Sequence, residues 1–226
     1  MDLCGLFLVV APCGEKHFFN ILDDQSNWGF TFCLRLKSDA FAHYLATEVF
    51  LERSKGVVVK TVCCGGELEL TAGKMGSHFL SKGIVVQRMV PYAHQQIGKS
   101  EHYICTIEEG SQALLADASL PMSFWLDAVL TRQYLVNRLP TSTLPAGVTP
   151  YEVLSNGCKP DLSHLRVWGC DCYVAIPDEI HPKAGFKCFW AVFVGYEEHC
   201  VGWRVHDLHG KYLFSNDVVF NEGSSS

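Results

Sequence analysis

WGFTFCLRLKSDAFAHYLATEVFLERSKGVVVKTV, residues 28–62, passes from one periodicity to another and back. Trp28 to Leu36 is rich in aromatic and branched residues and reads as a strand. Ser38 is the predicted N-cap of a helix, because Phe41, Tyr44, Leu45 and Val49 then recur at helical spacing until Gly56 stops the pattern. Val57-Val58-Val59 opens a second strand. Strand, helix, strand in that order predicts a crossover onto a parallel neighbour, and so a mixed sheet with helices packed on it.

The flanks extend this pattern. Leu3 to Val10 and His17 to Leu22 read as earlier strands, with Asp23 to Asn27 as the turn that completes an antiparallel meander. Downstream, Thr71 is the predicted cap of a short helix through Met75, Phe79 and Leu80, closed by Gly83, and Ile84 to Val86 is a short strand. A loop from Pro91 to Gly98 leads to two long helices, about Ser100 to Asp117 and Ser123 to Leu139, the second carrying Trp125 on its apolar face and ending at Pro140. Pro140 to Pro150 is a Pro/Thr/Ser/Gly-rich linker. Short strands follow at Arg166–Trp168, Cys172–Ile176, Phe189–Val194, Trp203–Val205, Tyr212–Phe214 and Val218–Phe220, a spacing that predicts a small barrel. The tail from Gly223 to Ser226 is expected to be disordered. These readings place a first domain over Met1 to Thr141 and a second over Thr149 to Asn221.

Composition narrows the classes. At 226 residues with 48% hydrophobic, the chain is long enough to bury a real core. Its 18 basic and 24 acidic residues give a net charge of -6, so charge alone does not suggest a nucleic-acid partner. Eleven cysteines, an odd number without framework spacing, read as reduced thiols. Leu3 to Pro12 is apolar but has no basic residue before it, so it reads as a buried strand and not as a secretory signal. No run has the roughly 20 apolar residues of a bilayer crossing, and the expected location is nucleus or cytosol.

Phosphoryl transfer on DNA calls for carboxylates from distant parts of the chain, meeting to hold two divalent ions. Asp2, at the start of the first strand, and Glu101, in the first turn of the predicted helix, are the candidates. A third is expected where the chain reads Val62-Cys63-Cys64-Gly65-Gly66-Glu67. Any single acid is more simply a solvated surface group. Asp23 and Asp24 fit local turn hydrogen bonding. Cys63 with Glu101 and His102 would make a softer zinc set, but Cys63-Cys64 lacks structural zinc spacing. No histidine pairs with a cysteine to mark a nucleophile. Cys170 and Cys172 share a strand face and read as core, as do Trp125, Tyr134 and Trp168. Lys74, Lys82 and Lys99 are the candidate phosphate contacts.

Longer blocks carry a resemblance. DLCG at Asp2–Gly5, FNILDDQSNWGFTFCLRLKSDAF at Phe19–Phe41, PYAHQQIGKSEH at Pro91–His102, LPMSFWLDAVLTRQYLVNRLP at Leu120–Pro140, TPYEVLSNGCKPDLSHLRVWGCDCYVAIP at Thr149–Pro177 and FVGYEEHCVGWRVHD at Phe193–Asp207 resemble, in order, the integrase core of copia-type LTR retrotransposons. The resemblance implies an α/β ribonuclease H-like core followed by an SH3-like β-barrel. It implies DNA integration by strand transfer, with DNA as partner, possible homo-oligomers, and Mg²⁺ (or Mn²⁺) held by an Asp, Asp, Glu triad. Here the triad maps to Asp2, Cys63 and Glu101, leaving Asp2 and Glu101 as metal ligands. The family reads like SDNGGEF where this chain has Cys63 and Cys64 before Gly65, Gly66 and Glu67. It also has a proline, an asparagine and an arginine where this chain has His94, Ile97 and His102. Magnesium prefers hard oxygen ligands, so a thiol at 63 implies impaired catalysis. The alternatives are a host-adopted binding or assembly module without chemistry, and a relic without function. The chain opens on the first catalytic strand, without the zinc module the family carries before it, which suggests a remodelled copy or a fragment of a longer reading frame.

Overall fold

A computed structural model describes residues 1–5, 9–12, 14–64, 73–88, 94–177, 185–198 and 200–225. The chain packs as two compact units, Met1–Glu108 with Leu135–Pro160, and Glu109–Tyr134 with Asp161–Ser226.

In the first unit, β1 (Asp2–Cys4), β2 (His17–Leu22) and β3 (Gly29–Leu34) form the antiparallel meander, with Asp2 opposite Asn20 and His17 opposite Leu34. The first strand is shorter than predicted, because Gly5 at φ 115° turns the chain; Leu6 to Leu8 lie outside the described residues. The turn is set by Asp23, whose Oδ2 accepts from the Ser26 N–H at 2.8 Å.

The helix α1 (Ala40–Phe50) follows a 3-10 turn at Lys37–Asp39. Ser38 does not cap it; the acceptor at this end is Asp39, which takes the Leu36 N–H at 3.2 Å. Gly56 ends the helix in the left-handed region as the sequence predicts, after a π turn at Leu51–Lys55. Its predicted apolar face holds at Tyr44, which is buried, and is corrected at Val49, which is exposed while Thr47 and Glu48 are buried instead. The next strand begins later than the valine run: β4 is Thr61–Cys64, because the Val57 N–H returns to Leu51 O and leaves Val57 and Val58 outside the ladder. β4 pairs in parallel with β5 (Val85–Arg88), and α2 (Gly73–Lys82) lies between them in sequence, whereas the predicted crossover from the Trp28–Leu36 strand is not a ladder among the described residues, since β3 and β4 belong to different sheets. Thr71, its predicted cap, lies outside the described residues.

The core of this unit gathers Leu3, Phe19, Leu34, Tyr44, Val62, Met75 and Phe79. A second group, Trp28, Leu51 and Leu154, brings in α5 (Pro150–Leu154). Thr149 caps α5 reciprocally with Glu152, and Asn137 holds Gly29 from both sides, its Oδ1 accepting from Gly29 N–H at 2.9 Å and its Nδ2 donating to Gly29 O at 2.8 Å.

α3 (His94–Asp117) starts earlier than predicted, so residues 94–98 are helix and not loop. α4 (Trp125–Val136) is shorter than predicted, opening with a 3-10 turn at Met122–Phe124. In the second unit, Trp125, Ala128 and Val129 are buried on α4 as the periodicity predicts. β6 (Cys170–Ala175), β7 (Cys188–Gly195), β8 (Trp203–Asp207), β9 (Tyr212–Ser215) and β10 (Val218–Ser225) form one antiparallel sheet in the order β10-β6-β7-β8-β9. The predicted barrel is not closed among the described residues, since β9 and β10 are the two edges. Two further predictions are corrected. Arg166–Trp168 is not a strand, because Arg166 Nη1 donates to Ser163 O and Leu165 O. Gly223 to Ser225 are ordered in β10, where Ser225 pairs with Cys170. Cys170 and Cys172 are buried on one face, as alternation requires.

Candidate active site on the first unit

β1 delivers Asp2. Its Oδ1 accepts from the Leu3 N–H at 2.9 Å, and the side chain is half-buried. β4 delivers Cys63 alongside, because the Met1 amino group donates to Cys63 O at 2.7 Å and so joins the start of β1 to the end of β4. Burial lowers the pKa of that amine, against the acidic neighbours Cys64, Asp2 and Cys63 that raise it.

Glu101 stands two turns into α3, not in its first turn, and is exposed. Two contacts fix the helix along the sheet. Lys99 Nζ meets Asp24 Oδ1 at 2.7 Å, and Cys4 Sγ donates to Glu108 Oε1 at 2.8 Å. Between them Gly29 admits the helix, since a Cβ there would lie 2.0 Å from the Tyr103 hydroxyl. Glu101 and Glu108 are seven residues apart and fall on one helical stripe, while Asp2 and Cys4 are two apart and share one strand face. The Cys4–Glu108 contact therefore sets the Asp2 face of β1 against the Glu101 stripe of α3. Periodicity could have marked this, had Cys4 and Glu108 been considered as a pair.

Position 63 is different in kind. The Cys63 side chain is exposed, and its Sγ donates to Gln87 Oε1 at 3.1 Å across the β4–β5 register. Among the described residues no group of three or more His, Cys, Asp or Glu side chains is placed to hold a metal ion. A soft thiol turned to an amide does not fit a hard cation, so the described residues alone do not complete the two-ion site that the resemblance implies. Gly65 to Glu67 lie outside the described residues, as do the side chains of His94 and Ile97; His102 is exposed. Of the candidate phosphate contacts, Lys74 and Lys82 are exposed on α2, whereas Lys99 is engaged by Asp24. No helix among the described residues is long and apolar enough to cross a membrane.

Residues 170–226 match the family described as retroviral polymerase SH3-like domain. Over 98% of its length the chain is 32% identical to the retrovirus-related Pol polyprotein from transposon TNT 1-94 of Nicotiana tabacum. Over 83% it is 28% identical to the retrovirus-related Pol polyprotein from transposon RE1 of Arabidopsis thaliana. It spans 17% and 13% of the lengths of those two relatives. In fold it is similar to a chain of the simian T-cell lymphotropic virus intasome in complex with PP2A regulatory subunit B56 gamma, with TM-score 0.50 and 12% identity, covering 83% of this chain and 69% of that one. Fold and matches together define a retroelement integrase-like protein. Within that class, the relatives along the chain support the integrase region of a copia-type Pol polyprotein.

Proposed function

We infer that this chain derives from an enzyme of DNA integration and now binds DNA with little or no strand transfer. The observation that carries this reading is the site itself: β1 and α3 bring the faces of Asp2 and Glu101 together, and position 63 offers a thiol bonded to Gln87. The domain reading that goes with it is a ribonuclease H-like core over residues 1–141 and an SH3-like domain over residues 149–221. Asp2 and Glu101 are the surviving metal-binding acids of the lineage, whose ions are Mg²⁺ or Mn²⁺, and Cys63 stands where the third ligand belongs. Lys74 and Lys82 contact phosphate; Lys99 serves the fold through Asp24. The Cys63–Gln87 bond also favours a second reading, in which the chain is a binding or assembly module that keeps the fold without the chemistry.

Strand transfer and duplex-DNA binding by the full chain test the proposal together. Binding is expected to weaken steeply with salt, and Lys74→Ala with Lys82→Ala to lower the log–log salt slope by about 2. Strand transfer by the unmodified chain that disappears in Glu101→Gln overturns the proposed loss of catalysis.

A further inference from the structure

We propose that the free edge of β5 accepts an extended acidic peptide as an added strand. β4 and β5 form a two-stranded sheet, and among the described residues no strand pairs with the far side of β5. The Val85 N–H points inward, donating to Lys60 O at 2.9 Å. In a parallel ladder the backbone groups of the next residue, Val86, therefore point outward, as do those of Arg88. Such a row of unpaired N–H and C=O groups is a template for one more strand.

The surroundings select the sign of the guest. Lys60 and Lys82 flank the start of β5 and have no carboxylate partner among the described residues, in a chain whose net charge is -6. Beside them in β5, Val85 is 56% exposed and Val86 is half-buried. Cations on an edge repel a second basic strand and attract an acidic one, while these two valines give its apolar side chains a surface to cover. Three other edges lack this combination: β9 and β10 run beside Asp217 and Glu222, and Arg35, next to β3, is already paired with Glu15 at 3.8 Å. A nucleic acid would use the cations alone and gain nothing from the valines or the backbone edge.

Fluorescence anisotropy with the full chain distinguishes these. The probes are a labelled peptide of alternating glutamate and valine, the same peptide N-methylated at alternate residues, and a mixed-sequence DNA duplex. The unmodified peptide is expected to bind, to lose about tenfold in affinity to Lys60→Glu and to Val85→Asp, and to lose binding when N-methylated. Both substitutions are at exposed side chains, and circular dichroism confirms that the variants fold. Failure of the peptide to bind overturns the proposal, as does equal binding of the N-methylated form. A DNA duplex that loses affinity in Lys60→Glu while the peptide does not also overturns it, and makes this edge a phosphate surface. Lys74 and Lys82 are left unchanged, so the result is separate from the test of DNA binding above.

Discussion

The Cys4 thiol donates to the Glu108 carboxylate at 2.8 Å, and this one contact sets β1 against α3 at the level of the candidate site. Burial first, and then the Glu108 hydrogen bond, push the Cys4 thiol up to about 12. Cys4 is therefore expected to react with an alkylating agent at neutral pH far more slowly than the exposed Cys63. Glu108→Gln removes the carboxylate charge that also raises the thiol and should speed Cys4 labelling, read site by site by mass spectrometry. Equal labelling of Cys4 and Cys63 in the unmodified chain would refute the contact.

Asn137 is fully buried and satisfies both backbone groups of Gly29. Asn137→Ala takes both side-chain hydrogen bonds away from the buried Gly29 backbone, a loss of roughly 2–4 kcal/mol in stability by urea unfolding. A loss under about 0.5 kcal/mol would show that water replaces the amide.

Asp127 tests pH dependence. Its carboxyl is buried, and burial raises its pKa above the ordinary 3.8, although Arg204 at 3.5 Å, the Tyr212 hydroxyl at 2.7 Å and His206 pull the other way. A raised native pKa means that the folded state holds the proton more tightly than the unfolded chain. The stability this group contributes is thus complete below the unfolded value and is lost as pH rises through the native one. Asp127→Asn keeps an acceptor for Tyr212 and does not titrate, so its stability relative to the unmodified chain should rise as pH is raised from below the ordinary 3.8 through the native value. A relative stability that falls over that range would mean that the Arg204 pair dominates.

Cys63→Asp restores an oxygen ligand between the Asp2 face and β5. With three acids together and no metal the variant should be less stable in chelator, and it should gain about 1.4 kcal/mol once Mg²⁺ reaches roughly ten times its Kd. The unmodified chain should gain little, and Glu101→Gln in the variant should remove the effect. Melting curves with and without Mg²⁺ decide this, and an unresponsive variant would mean that position 63 does not face the two acids.

Limited proteolysis should cut first between Pro140 and Val148, where Pro140, Ser142, Thr143, Pro145, Ala146 and Gly147 are exposed. Beyond it the capped Thr149 and the Tyr151 N–H, held by Asn137 O at 2.9 Å, should resist. First cleavage within α5 would contradict this.

The sequence by itself determined the order and type of the main elements. The apolar run in His17–Leu22 and the helical spacing in 40–50 are local properties, and Gly56, the one residue type at ease in the left-handed region, ended the helix where expected. The residues of the proposed site could also be named from the chain, because the resemblance implies an acid at the position where Cys63 stands. What only the tertiary structure decided are relationships between distant residues: Asn137 around Gly29, Tyr103 over the same glycine, Cys4 on Glu108, and Cys63 turned to Gln87. The start of β4 belongs with these, since Val57 to Val59 have as strong a strand preference as Thr61 to Cys64. The choice fell to where Lys60 O met the Val85 N–H. Strand pairing is made by a partner remote in sequence, and local preference cannot say at which residue the partner arrives.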